Sequence, residues 1–201
     1  MNPQRLRIAV QSHGRLSEPS LDYLRSLGLK FQTNGRLLIT SCENLNLDIL
    51  HLRDDDIPEY VSREVADFGI VGENVLYEKK VRAKVLRKLG FGACSLVIAV
   101  PKGSPIQAAA DLEGERIATT YPRILADFLK EKGINASIIP IEGSVEIAPS
   151  LNLADAICDL TQTGKTLKEH DLIPIMTILK SEAVLIESPA SKPEKKEFTK
   201  L

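Results

Sequence analysis

The sequence predicts an α/β fold in which short apolar strands alternate with helices, as in parallel-sheet proteins. Three observations carry this: apolar runs alternate with helical periodicity, polar motifs follow the ends of those runs, and glycines punctuate the junctions. Residues 6–10, with Leu6, Ile8, Ala9 and Val10, form the first expected strand. Helix 19–27 follows, with Leu21, Leu24 and Leu27 on one face, Ser17 as N-cap and Gly28 past its end. Residues 37–42 and 47–52 are two further strands, 57–64 a short helix, 68–71 a buried strand and 75–78 a helical turn. Longer elements at 83–89 and 94–100 straddle Gly90 and Gly92, the expected point at which the chain leaves one lobe for another. Strand 116–119, helix 123–132 ended by Gly133, strand 138–141, helix 145–151 and strand 156–160 continue the alternation, with a last strand near 183–186. Residues 188–200 are polar and lysine-rich with two prolines, and read as a tail, linker or helix start.

A chain of 201 residues suffices for one large or two small domains. With 26 basic and 27 acidic side chains and no basic stripe, it carries no nucleic-acid footprint. Cys42, Cys94 and Cys158 lie far apart, without a Cys-x-x-Cys pair, and read as reduced structural thiols. The first residues form no apolar signal core, and no apolar stretch is long enough to span a bilayer. A soluble, cytoplasmic protein is expected, with neither nucleic acid nor membrane as partner.

The most informative stretch runs from Asp155 to Thr166. Ala156, Ile157 and Cys158 suit a buried strand, Asp159 emerges at its carboxyl end, and Thr161, Thr163, Gly164 and Thr166 then supply hydroxyls and backbone N–H groups around a turn. Leu167 onward reads as helix, which places Thr166 near a helix N-terminus where the dipole favours an anion. A carboxylate accepts hydrogen bonds from sugar hydroxyls, so acid and threonine loop together suggest a ribose 5-phosphate. The plainer alternative is a threonine-rich turn that caps a helix.

The motif has company. Residues 6–17 (containing Gln11, Ser12, His13, Gly14, Arg15 and Leu16), Arg53 to Pro58 with three consecutive aspartates, Asp67 to Leu76, and Gly143 to Pro149 leading into the threonine loop together resemble the catalytic core of the ATP phosphoribosyltransferases. Arg116 to Pro122 is a weaker fifth match, and the likeness reaches to about Ile186. The resemblance implies a two-lobed α/β fold of the type II periplasmic-binding-protein kind, with ligands in the cleft between lobes. It implies that the chain crosses twice, giving residues 1–91 plus 180–201 as lobe I and 92–179 as lobe II. The implied reaction is transfer of the 5-phosphoribosyl group from 5-phosphoribosyl 1-pyrophosphate (PRPP) to N1 of ATP with release of pyrophosphate, the first step of histidine biosynthesis.

Adenine N1 is a poor nucleophile, so catalysis of such a transfer must favour departure of the pyrophosphate. That calls for Mg²⁺ and basic side chains on the leaving group, and for rigid holding of a cation-like sugar. By the resemblance, Glu146 and Asp159 take the ribose hydroxyls of PRPP, while Thr161, Thr163, Gly164, Lys165 and Thr166 cradle its 5-phosphate. Alone, Glu146 also reads as a first-turn helix acid after Ser144. Arg15, after Gly14, is the best single arginine for a nucleotide or pyrophosphate phosphate, and Arg53 is the second catalytic candidate. ATP contacts are expected from Gln11, Gly14, Arg15, Leu16, Asp55, Glu73 and Tyr121. Asp54 to Asp56 read equally as a solvated helix start, and Glu73 as a first-turn acid. The family often has proline-lysine-glycine-arginine where this chain has Gln11 to Arg15, and His13 occupies the position of the commoner lysine. Mg²⁺ is expected through substrate phosphates, without direct protein ligands.

Two other readings fit the same residues. A small-molecule receptor could share the fold, against which stand the threonine loop and the lack of a secretion signal. A metal-dependent hydrolase would need converging ligands, but His13, His51 and His170 show no ligand spacing and adjacent aspartates point apart. The resemblance further implies a homo-oligomer built from dimers, and, for a short family form, a regulatory subunit related to histidyl-tRNA synthetase. The wording around Gln11 to Arg15 and Leu153 to Asp159 is nearer to the long form, which carries its own regulatory domain.

Overall fold

A computed structural model of the chain describes residues 5–33, 37–81, 83–190 and 192–200. Residues 1–4 and 201, the outermost of the expected first lobe, and Ser191 in the lysine-rich segment lie outside the described residues. The chain divides into two compact units, one running to Gly92 and resuming at Glu182, the other spanning Ala93–Ser181.

The first unit opens with β1 (Leu6–Gln11), α1 (Ser17–Ser26), β2 (Ile39–Ser41), β3 (Leu47–Leu52), α2 (Ile57–Ser62), β4 (Phe68–Gly72), α3 (Glu73–Lys79) and β5 (Lys84–Lys88). The second holds β6 (Cys94–Pro101), β7 (Arg116–Thr119), α4 (Pro122–Lys132), β8 (Ser137–Pro140), β9 (Ala156–Thr161), α5 (Lys165–Glu169) and β10 (Leu172–Ser181). The chain then returns to the first unit as β11 (Ala183–Glu187) and α6 (Pro193–Phe198).

The first sheet has the order β2-β3-β1-β4-β11-β5, parallel across β3, β1 and β4 and antiparallel at β2 and around β11. Both of its faces are covered, which is why its central strands are apolar throughout rather than alternating. Ile8, Val10, Ile49 and Ile70 pack with Leu21 and Leu24 of α1 on one face, and Ala9, Val71 and Val184 pack with Ile57, Val61 and Val75 on the other. The second sheet has the order β10-β6-β9-β7-β8, parallel across β9, β7 and β8 and antiparallel where β6 meets β9 and β10. Leu125 and Leu129 of α4 cover one face, and Val145, Ala148 and Leu167 the other.

Several local expectations are corrected. Residues 145–151 form two 3₁₀ turns, Val145–Ile147 and Pro149–Leu151, because Ser144 enters with φ of 49° and Pro149 cannot donate a helical hydrogen bond. Ser17 begins α1 rather than capping it, and its hydroxyl donates back to the Ser12 carbonyl at 3.1 Å. Strand β10 was not expected, since Pro174 and two register shifts break its alternation. The lysine-rich segment resolves into α6, held down by burial of Phe198 against Phe68 (centroids 4.5 Å apart). Lys192 Nζ reaches the buried Asp67 Oδ1 at 2.6 Å, and Lys195 Nζ donates to the Ser188 hydroxyl at 2.7 Å. All three cysteines are free and buried, and burial pushes the Cys42 thiol up to about 11.

A polar clamp fixes β7 beside the start of β9. Arg116 donates its backbone N–H and Nε to Asp155 Oδ2, each at 2.9 Å, and its Nη2 to Asp155 Oδ1 at 2.8 Å. The bonded Arg116 guanidinium is the main reason that the Asp155 carboxyl falls to about 2. A carboxylate depressed on folding stabilises the protein above its unfolded value, and that contribution disappears as pH falls through the folded one. Asp155→Asn is therefore expected to cost about 1 kcal/mol near pH 7. Urea unfolding of both proteins should show the difference shrinking as pH drops from 3.8 toward 2.

Candidate active site

In the second unit, β9 ends in the loop that the sequence singles out. The Thr161 hydroxyl accepts the Gly164 N–H at 2.9 Å, and the Thr163 hydroxyl accepts the Lys165 N–H at 3.4 Å. These two bonds curl the loop onto α5, whose first turn leaves backbone N–H groups without intrahelical acceptors. The result is an open polar cavity of about 210 Å³ lined by Glu146, Asp159 and residues 160–167. All seven residues expected to hold PRPP (Glu146, Asp159, Thr161, Thr163, Gly164, Lys165 and Thr166) thus share one wall system. Lys165 Nζ is exposed and lies 3.8 Å from Glu169, an ion pair weak enough to be exchanged for a phosphate.

Asp159 is the electrostatic centre of this cavity. Burial pushes its carboxyl up to about 6, the Leu160 N–H opposes the rise, the nearby Glu146 carboxylate adds to it, and the Thr120 hydroxyl opposes it. Thr120 is a neighbour that the sequence alone did not suggest. It enters because Thr119 ends β7, where its hydroxyl donates to the Cys158 carbonyl at 2.6 Å and accepts the Tyr121 N–H at 2.9 Å. Tyr121 itself precedes α4 and packs partly buried against the second-unit core.

In the first unit, the turn after β1 gathers the second set. Gln11 is buried, and its Oε1 accepts the Leu16 N–H at 2.8 Å. Arg15 Nη1 donates to the Gly92 carbonyl at 2.7 Å, and its other terminal nitrogen would lie 3.6 Å from a Cβ placed on Gly72. The last residue of β4 therefore passes close to the guanidinium. Gly92, with φ of 67°, has no room for a side chain, since a Cβ there would stand 2.2 Å from Leu16 Cδ2.

The aspartate run divides by role. Asp54 is partly buried, and its carboxyl is raised first by that burial and then by Asp55, with the charge of Arg15 among the opposing influences. Asp55, the expected ATP contact, is exposed and lies 4.0 Å from Lys79. Arg53 is exposed on the same turn, whose backbone closes through its carbonyl to the Asp56 N–H at 3.1 Å. Glu73 heads α3 and accepts from Lys88 Nζ at 3.2 Å, while its N–H donates to the Glu182 carbonyl. The turn after β1 and the aspartate turn are neighbours through Arg15 and Asp54. Glu73 is tied to the strand β5 side.

Comparison with known proteins gives this arrangement a family. A sequence model described as HisG, ATP phosphoribosyltransferase, matches residues 53–201. The chain is 48% identical over 191 residues to an ATP phosphoribosyltransferase of Cytophaga hutchinsonii, covering 95% of this chain and 67% of that one. It is 46% identical to that of Phocaeicola vulgatus, covering 96% of this chain and 68% of the relative, so it spans about two thirds of their length. Among solved structures, the ATP phosphoribosyl transferase (HisG:HisZ) complex from Thermotoga maritima superimposes with a TM-score of 0.82 at 32% identity, covering 96% and 92% of the two chains. The periplasmic aliphatic sulphonate binding protein SsuA from Escherichia coli matches with a TM-score of 0.64 at 13% identity, covering 99% and 70%, which is a likeness of fold alone. The fold is thus the α/β architecture of periplasmic binding proteins, and the chain belongs to the ATP phosphoribosyltransferase family, transferases that carry out the first step of histidine biosynthesis.

Proposed function

We propose that this chain transfers the 5-phosphoribosyl group of PRPP to N1 of ATP with the second-unit cavity as the PRPP site and the Arg15 turn as the nucleotide phosphate site. The observation that carries the reading is the joint placement of Asp159, Glu146 and the threonine loop around one polar cavity. A phosphate fits against hydroxyls and the N–H groups of a helix start, and ribose hydroxyls fit against the carboxylates that line the same cavity. Gly14, Arg15 and Leu16 are the proposed phosphate turn of the first unit, with Gln11, Arg53, Asp55 and Glu73 as further proposed contacts to the nucleotide. Tyr121 is the proposed base contact from the second unit.

The chemistry follows from what these groups can and cannot do. Poor nucleophilicity of adenine N1 and the charge carried away by pyrophosphate are met by holding both substrates in place, and the groups assigned here act by holding. Asp159 and Glu146 fix the sugar and favour positive charge developing at C1, and Arg15 and Arg53 favour negative charge leaving on the pyrophosphate. Mg²⁺ bound to substrate phosphates would add charge neutralisation there, and the two carboxylates suit a water-rich cation of that kind. We further infer assembly from dimers and a surface able to associate with a regulatory subunit like the HisZ of the Thermotoga complex.

The direct test is incubation with ATP, PRPP, Mg²⁺ and pyrophosphatase, with mass spectrometry for N1-(5-phosphoribosyl)-ATP. Product is expected; PRPP binding without product would assign the missing function to a partner, and neither would refute the reading. Asp159→Asn is expected to abolish PRPP binding in calorimetry without loss of fold. Because the Asp159 carboxyl is raised on folding to about 6 from 3.8, its ionised form costs stability above pH 6, so the Asn variant should be more stable at pH 7.5 by on the order of 1 kcal/mol. In the unmodified chain, PRPP affinity should fall severalfold as pH drops below 6 and the carboxylate is protonated; a flat profile would exclude Asp159 as the sugar acceptor. Arg15→Ala should lower turnover by about a hundredfold or more while the midpoint of urea unfolding barely moves, and a matched fall in both would mark Arg15 as structural.

A further inference from the structure

We infer that Gln11 is a positioning residue for Arg15: its amide is folded into the turn after β1 and sets where the arginine stands. The inference rests on Arg15 being the phosphate-binding arginine of the first unit. Gln11 is the last residue of β1, so the sheet fixes its Cα through the pairing with Leu52 of β3. The residue is only 8% exposed, and its side chain turns back along the chain, with Oε1 taking the Leu16 N–H five residues on. On the opposite side of the turn, a Cβ on Gly14 would lie 2.7 Å from Gln11 Nε2, and Gly14 has φ of 113°. Glycine is therefore required there for conformation and for room alike. One amide thus sits against both chain neighbours of Arg15, occupying the space that a side chain before it would need and bonding the N–H of the residue after it.

The downstream half of the device is equally tight. Leu16, pinned through its N–H, is 2% exposed and fills the space that a side chain on Gly92 would need. The carbonyl of that same Gly92 receives Arg15 Nη1 at 2.7 Å. Moving Leu16 therefore shifts the backbone of Arg15 and the acceptor of its guanidinium together. Losing the Gln11 oxygen would leave the buried Leu16 N–H unsatisfied, so the bond has a reason to persist whatever the amide nitrogen does. Small displacements of a charged group aimed at a phosphate have large effects on rate, so a residue that never touches substrate can control turnover.

The test is a double-mutant cycle with Gln11→Met, which keeps length and burial but removes the acceptor. Alone, it is expected to lower kcat/KM for ATP by about tenfold or more, leaving the PRPP dissociation constant unchanged within about twofold. In an Arg15→Ala background the same change should cost less than about twofold, because its effect runs through the arginine. Losses that multiply in the double variant would overturn the inference, since Gln11 would then act on the nucleotide or on the fold independently. Gln11→Asn, one methylene too short to reach Leu16, gives the same comparison should Met not be accommodated. Hydrogen exchange at the Leu16 amide needs no turnover: it should be slow in the unmodified chain and fast in Gln11→Met. Fast exchange in the unmodified chain would overturn the inference, whereas a well-protected Leu16 in a chain that makes no product would count against the functional reading alone.

Discussion

The first unit depends on a strand that arrives only after the second unit has been made. β11 lies between β4 and β5, and Ala183, Val184, Leu185 and Ile186 are wholly buried there with hydrogen-bonded neighbours on both sides. Without β11, β5 has no strand to pair with and the apolar edge of β4 lies bare. The crossing is stitched on the first-unit side: Ala183 donates to the Phe91 carbonyl at 3.0 Å, Leu89 to the Ala183 carbonyl at 2.9 Å, and Gly90 to Glu182 Oε2 at 3.2 Å. The second unit is therefore an insertion into a sheet whose closure makes the native order of strands obligatory. The turn bearing Arg15 leans on the same crossing through Gly92, so site geometry and sheet closure share one segment of backbone.

Asp159 illustrates the cost of a functional carboxylate. It stands where strand β9 leaves the apolar core, near enough to protein to be desolvated and near enough to Glu146 to be repelled. A neutral residue would suit the fold better. The ionised acid suits a ribose, whose hydroxyls return the hydrogen bonds lost with water. Strain of this electrostatic kind is concentrated where the ligand is proposed to sit, and the Arg116–Asp155 clamp on the adjacent strand is its opposite, an acid stabilised by folding.

The sequence made some of this legible and hid the rest for definable reasons. Buried central strands such as β1, β4 and β9 are apolar runs bounded by polar turns, and those signals are local. The threonine loop could be read because its hydroxyls, glycine and helix start are contiguous, and the gathering of Glu146 with it followed from the family motif. The sheet direction at β11 and β6 was not legible, because antiparallel insertion is decided by the return of the chain. Nor were the partners of Asp159 and Arg15: Thr120, Gly72 and Gly92 come from other strand ends, and Asp54 differs from Asp55 only in how the turn rotates each one. The resemblance puts Gln11 among the nucleotide contacts; the backbone path adds that its oxygen accepts the Leu16 N–H.

The irregular strand β10 carries one more consequence. It is the outermost strand of the second sheet and runs for ten residues, with Ile173 and Pro174 exposed, which would ordinarily offer a template for another protein's strand. Its register breaks between Pro174 and Met176 and again between Thr177 and Leu179, and Pro174 has no N–H to give. An incoming strand would find its hydrogen-bonding groups out of phase within a few residues. This margin is thereby closed to continuous β-sheet growth, and a partner seated along it must be held by side chains rather than by an added strand.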